Sequence, residues 1–148
     1  MRGSSINDDF NENDISVGDI IWYQNEDIDN PEPHPHVAIA IDENYIYTVC
    51  GTSKEKTIER KAKHLNLDYS WFPCLGPDKL MGLKCRTFFD CCNYFEIYAP
   101  DLQDKYQAGE DINISGKIPY SDYEQIRTAL KSNPAIDICD ILIHPEDD

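Results

Sequence analysis

A chain of 148 residues with 41% hydrophobic content supplies one domain with one compact core. Its formal charge of −15 and pI near 4.4 oppose any general attraction to a nucleic-acid backbone. No run reaches the roughly 18 apolar residues that cross a bilayer, so no membrane partner is expected.

Residues 1–16 carry Asp8, Asp9, Glu12 and Asp14 among few apolar side chains and read as a flexible acidic arm. Met1 to Ser5 has the look of an expression-vector leader and is set aside from fold reasoning. With no apolar run at the start, no signal peptide is expected, and the location follows as cytoplasmic. One domain is assigned to 17–148.

The segment 18–24 is rich in β-formers, Gly18-Asp19-Ile20-Ile21-Trp22-Tyr23 above all, and reads as strand one. Residues 25–35 follow as a loop whose three prolines remove ladder donors. It is too long for a tight hairpin, and long loops on rigid scaffolds often carry function. Residues 36–42 read as strand two and 45–50 as strand three, joined by the polar turn Asp42-Glu43-Asn44. Gly51-Thr52-Ser53 ends the pairing. The segment 54–66 is open: its Lys and Glu content suggests a helix.

Trp71 to Leu75 reads as a short strand or a buried loop, and 82–98 as one or two further strands. A loop is expected over 99–111, and a short late strand or turn over 112–118. The clearest helix comes next. Ser121 with Glu124 three residues on has the capping-box pattern. Tyr123, Ile126 and Leu130 recur at helical spacing, while Arg127, Thr128 and Lys131 would face solvent. Ser132-Asn133-Pro134 stops it. Ile136, Ile138, Ile141, Leu142 and Ile143 form an apolar tail, a short helix or an edge strand.

Charge is unevenly spread. Residues 54–86 hold eight Lys or Arg (Lys54, Lys56, Arg60, Lys61, Lys63, Lys79, Lys84, Arg86) against four acids (Glu55, Glu59, Asp68, Asp78). This segment is net +4, which leaves −19 for the rest. Such an island can steer an anionic ligand to one place, or it can be a solvated edge. The six cysteines, at 50, 74, 85, 91, 92 and 139, contain no C-x-x-C and read as free thiols. Cys91 and Cys92 would point to opposite faces of a strand. A zinc site of His34, His36 and two cysteines is an open alternative, but the ligand spacing is not specific, and no metal and no cofactor is expected.

Three motifs then stand in order: Gly-Asp-Ile-Ile-Trp at 18–22, His-Pro-His-Val-Ala-Ile at 34–39 and Gly-Thr-Ser at 51–53. Gly116-Lys117-Ile118 ahead of the helix completes the set. Together they resemble the MazF/PemK growth-inhibitor family, with its Kid/CcdB-type barrel. The resemblance implies a mainly-β chain with α: an SH3-like small barrel with a C-terminal helix, commonly a homodimer. For 54–66 it favours an irregular loop or short strand. It implies sequence-selective cleavage of single-stranded RNA by metal-free attack of the ribose 2′-hydroxyl, and a cognate antitoxin protein as partner.

Family members commonly use an arginine just before the Pro that opens strand two, and a Thr or Ser at the end of strand three. Carried over, the arginine position falls on His34, before Pro35, and the hydroxyl position on Thr52 or Ser53. This is a departure. Histidine can move protons near neutral pH, but lacks arginine's permanent charge and two-pronged grip on phosphate. Lys54, next in the chain, would supply the missing cation. His34, Thr52, Ser53 and Lys54 form the expected catalytic set. His36, Arg60, Arg86 and Trp22 are the expected substrate contacts, Trp22 by stacking on a base, as Tyr23, Tyr45 and Tyr47 could. Plainer roles stay open: the histidines as ordinary loop and strand residues, the hydroxyls as turn formers, the aromatics as core or dimer interface. Asp19 reads as a turn residue. The second functional reading is a catalytically degenerate barrel that binds protein or nucleic acid. A third is an acidic mimic of nucleic acid.

Overall fold

The computed structural model describes residues 10–28, 32–78 and 81–134. Within them the chain forms β1 (Asp19–Tyr23), β2 (His34–Asp42), β3 (Tyr45–Thr52), α1 (Glu55–Leu65), β4 (Cys74–Leu75), β5 (Thr87–Phe89), β6 (Phe95–Tyr98), α2 (Ala99–Gln107), β7 (Asn113–Lys117) and α3 (Tyr120–Lys131). Short 3-10 turns cover Glu12–Asp14 and Tyr69–Trp71.

The glycine of the first motif has a backbone reason. Gly18 sits at φ +94°, where a Cβ is poorly tolerated. From that turn its N–H donates to Ala38 O at 2.8 Å, and its carbonyl accepts from Ile118 N–H at 3.0 Å. Asp19 does the work of a turn residue: its Oδ2 accepts from Ser16 N–H at 2.8 Å, and Lys117 Nζ lies 3.3 Å from its Oδ1.

The strands make one antiparallel sheet in the order β4-β5-β3-β2-β1-β7. β3 is shared on its outer side: Tyr45 to Thr48 pair with β6, and Gly51 and Thr52 pair with β5. The sheet curls until its two ends nearly meet. There Ser115 Oγ on β7 donates to Met81 O at 2.7 Å. The close approach needs Gly82, which has φ +71° and whose absent Cβ would strike Ser115.

Curling buries both faces of the central strands. One face of Ile20, Val37, Ile39 and Val49 packs with Tyr123, Ile126 and Leu130 of α3. The other, with Ile21, Ala38 and Ile46, packs under Leu102 of α2 and under Phe10 and Ile15. A fully buried side chain of this size contributes about 1.5–3 kcal/mol. The two faces explain why β1 reads as a continuous apolar run. A third, small cluster joins Ile58 and Ala62 of α1 to Phe72 and Phe88. This is the mainly-β architecture with helices that the sequence predicts.

Several local expectations are corrected. Residues 99–107, expected as loop, are α2. Ala99, Leu102 and Tyr106 have the helical period, and Pro100 sits in the first turn, where its missing N–H costs nothing. The segment 54–66, for which the resemblance favours an irregular loop or short strand, is helical over Glu55–Leu65, as its Lys and Glu content suggests: Ile58 and Ala62 are its buried face, and Asn66 ends it at φ 56°. α3 begins at Tyr120 after Pro119, with no side-chain cap bond, so Ser121 lies inside the helix and the capping box does not form. Tyr123, Ile126 and Leu130 are buried as their spacing predicts, but Arg127 is half-buried instead of facing solvent. Cys91 and Cys92 lie in the turn after β5 and not in a strand. Strand two starts at His34, two residues early, and strand three runs on to Thr52. Phe10 to Ser16, expected in the flexible arm, pack on α2: Gln103 Nε2 donates to Phe10 O at 3.2 Å, and its Oε1 accepts from Glu12 N–H at 2.8 Å. The apolar tail 136–143 lies outside the described residues.

One buried bond fixes α3 to the sheet. Tyr123 Oη donates to Ile39 O at 2.6 Å, at an irregularity in the β2–β3 register between Ala38 and Ala40. Tyr123→Phe is expected to lose about 1–2 kcal/mol of stability, the cost of an unsatisfied buried carbonyl. Urea unfolding with an unchanged slope checks it.

Candidate functional site

The end of β3, the start of β2 and the segment before β5 meet at one rim of the barrel. Two hollows open there. The first, about 540 Å³, is lined by Trp22, His34, Thr52, Ser53, Lys54 and Lys84, among others. The second, about 570 Å³, is lined by Asp27, His34, Thr52, Lys54, Lys61 and Asn93, among others. His34, Thr52 and Lys54 belong to both and form the partition between them.

Local bonds set the chemistry of the partition. His34 Nδ1 lies 2.8 Å from Glu32 O. A carbonyl can only accept, so Nδ1 carries the proton, and Nε2 is the nitrogen free to take one in the neutral ring. Thr52 Oγ1 accepts from Lys54 N–H at 3.1 Å. That bond occupies a lone pair and leaves the hydroxyl proton for an anion. Ser53 O accepts from Glu55 N–H at 3.1 Å, which turns the chain from β3 into α1. Lys54 therefore stands between strand and helix, exposed at the mouth of both hollows. Trp22 forms a fixed wall, because its Nε1–H donates to Ser115 Oγ at 3.0 Å.

His36 leaves the expected contact set. It is completely buried, and its ring lies against Tyr23 with centroids 4.2 Å apart. It supports the site from behind: its Nδ1–H donates to His34 O at 2.9 Å. Burial, first, lowers its pKa to about 4. Arg60 is exposed on α1 and lines neither hollow. Arg86 is engaged elsewhere: its Nη2 donates to Glu55 Oε1 at 2.6 Å, and its guanidinium lies over Phe88. Tyr23 is buried, and Tyr45 and Tyr47 lie outside the hollows.

Sequence reasoning missed Lys84 and Asn113 in the first hollow, and the Lys61–Asp90 ion pair and Asn93 in the second. Lys61 and Lys84 had one signal, their place in the positive segment 54–86. Cys50 lines the second hollow, but burial first, and Asp90 second, push its thiol up to about 12. It stays protonated and is a poor nucleophile. The described cysteines, Cys50, Cys74, Cys85, Cys91 and Cys92, are free thiols, and Cys139 lies outside the described residues. No described group of three or more His, Cys, Asp or Glu could hold a metal ion. Among the described residues, no helix is long and apolar enough to cross a membrane.

No family model and no curated protein sequence matches this chain. Its fold is similar to that of MazF from Deinococcus radiodurans, solved by crystallography. That match spans 80% of this chain and 94% of the other, at 12% identity and a TM-score of 0.52. At that identity the likeness speaks for architecture alone. The chain therefore has a MazF-like fold, a small curled β-barrel with an attached late helix.

Proposed function

We propose that this chain is a toxin-type endoribonuclease that cleaves single-stranded RNA at the partition between the two hollows. The observation that carries this is the convergence of an imidazole, a hydroxyl and an ammonium, His34, Thr52 and Lys54, on one wall shared by two cavities. A scissile phosphate on that wall would place one flanking nucleoside in each hollow. His34 Nε2 takes the 2′-hydroxyl proton as the 2′-oxygen bonds to phosphorus. The P–O5′ bond breaks, and O5′ takes a proton from solvent. The products are a 2′,3′-cyclic phosphate and a 5′-hydroxyl. Thr52, with Ser53 beside it, donates to the phosphate oxygens, and Lys54 balances the charge that builds on them. Trp22 offers a flat face for a base.

The same reading brings a cognate antitoxin and a homodimer as expected partners, and a cytoplasmic setting. One observation favours the alternative of a binding module: His34 stands where an arginine would grip phosphate without titrating. Stoichiometric capture of RNA or protein without turnover would identify it.

The test is incubation of long single-stranded RNA with purified protein in excess chelator. Cleavage is expected, and Thr52→Ala should slow it about 10²-fold. RNA left intact by a protein in molar excess removes the ribonuclease reading.

A further inference from the structure

We propose that the second hollow is a guanine site, read by the Lys61–Asp90 ion pair. This rests on the ribonuclease reading above and names the base that flanks the scissile phosphate.

Both partners of the pair line the second hollow, whose other wall is the partition of His34, Thr52 and Lys54. A nucleotide with its phosphate on that partition therefore has this pair within its own cavity. Asp90, just after β5, is tied down on both sides. Its N–H donates to Cys50 O at 3.0 Å, and its Oδ1 accepts from Cys92 N–H at 2.9 Å. Its Oδ2 accepts from Lys61 Nζ at 2.5 Å. Ile58 and Phe95 supply apolar wall to the same hollow. An apolar cavity with a few fixed polar groups is the usual form of a small-ligand site. As a tether for α1 the pair would contribute little, because its side chains keep 30% and 22% of their exposure.

Taken in order, the pair presents a donor and two acceptors: Nζ, Oδ2, Oδ1. Each atom keeps a free position. The ammonium has three protons and gives one to Oδ2, and each carboxylate oxygen has a second lone pair beside the bond it already accepts. The complementary edge reads acceptor, donor, donor. Guanine has that order on its Watson–Crick edge, as O6, N1–H and N2–H. Uracil offers O4 and N3–H, but its third atom, O2, is an acceptor facing a carboxylate. Adenine and cytosine pair a ring nitrogen with one amino group and fill two positions at most. Guanine alone fills all three.

The test uses short 2′-O-methyl RNA strands, which cannot be cut, made of uridine except for one central guanine, inosine, adenine or cytosine. Wild type should bind the guanine strand at least about fivefold more tightly than each of the others. Inosine is the sharpest comparison, since it differs from guanine only by the missing N2 amino group and needs no protein variant. Asp90→Asn, which replaces one acceptor with a donor, should abolish the margin. Lys61→Met should weaken the guanine and inosine strands alike and keep the margin between them, because both bases carry O6 and the carboxylate remains. Equal binding of guanine and inosine by wild type, or a margin that survives Asp90→Asn, overturns the guanine site and leaves cleavage in chelator as it was. Guanine preference in a protein that leaves long RNA intact upholds the site and overturns the ribonuclease reading.

Discussion

His34→Ala should lower the rate of RNA cleavage by about 10²–10⁴-fold, the usual worth of a positioned proton-transfer group. The loss should fall on kcat, with KM little changed, because proton removal develops only in the transition state. The hydrogen bond to Glu32 O puts the proton of the neutral ring on Nδ1 and leaves the lone pair on Nε2. Lys54 cannot replace it, since an ammonium has no lone pair. His34→Gln keeps a polar side chain of similar reach but cannot take up a proton, so it should be equally slow. Single-turnover rates measured with enzyme in excess check both variants. A His34→Ala protein that turns over at the wild-type rate takes the imidazole out of the chemistry.

Lowering the pH from about 6.5 to about 4 should remove about 3 kcal/mol of stability through His36 alone. The neutral ring is fully satisfied. Nδ1–H donates to His34 O, and Nε2 faces Asn25 Nδ2 at 3.4 Å. Asn25 cannot rotate to offer its oxygen cheaply, because Oδ1 accepts from Asp27 N–H at 2.9 Å. A second ring proton would face the Asn25 amide donor between the rings of Tyr23 and Phe95. Burial there outweighs the help that the backbone of His34 and Ile21 gives the charged ring. Burial accordingly holds the folded-state pKa at about 4, against an unfolded value of about 6.5. Between those values the unfolded chain binds the extra proton and the folded chain does not. The contribution is therefore whole above about 6.5 and lost progressively as pH falls toward 4. His36→Phe should flatten that part of the pH profile, at a cost in stability from the lost bond to His34 O. Urea midpoints at several pH values for both proteins check it, and equal slopes would show that His36 does not carry the effect.

The readable parts of the sequence were those where a local pattern matched its surroundings. Ile20, Ile21 and the alternating residues of β2 and β3 carry strand character that nothing later overrides. Tyr123, Ile126 and Leu130 mark a buried helix face, whereas Gly18, read as the first residue of strand one, forms the left-handed turn before β1. α2 was hidden because charged residues fill the spaces between Ala99, Leu102 and Tyr106, and because Pro100 reads as a breaker unless the helix start is known. The capping box at Ser121 misled for a related reason. Pro119 already sets the helix start, leaving the serine no cap to make.

At the site, the family resemblance points to His34, Thr52 and Ser53, and Lys54 is the next cation in the chain; the β2–β3 hairpin brings these segments to one rim. Long-range partners had no such signal. Lys84 reaches the first hollow only because the segment before β5 folds across the rim, and Lys61 faces the second because α1 packs on Phe72 and Phe88. His36 shows the limit of motif reading. Two residues from His34, it differs by falling two places along the same strand onto the buried ring of Tyr23.

End-group analysis of RNA cut in chelator tests the proposed chemistry most directly. Transfer at the His34–Thr52–Lys54 wall predicts fragments ending in a 2′,3′-cyclic phosphate and beginning with a 5′-hydroxyl, and no cut where the attacking ribose lacks its 2′-oxygen. Fragments with 3′-hydroxyl and 5′-phosphate ends, or cleavage that proceeds past the 2′-deoxy position, would contradict it.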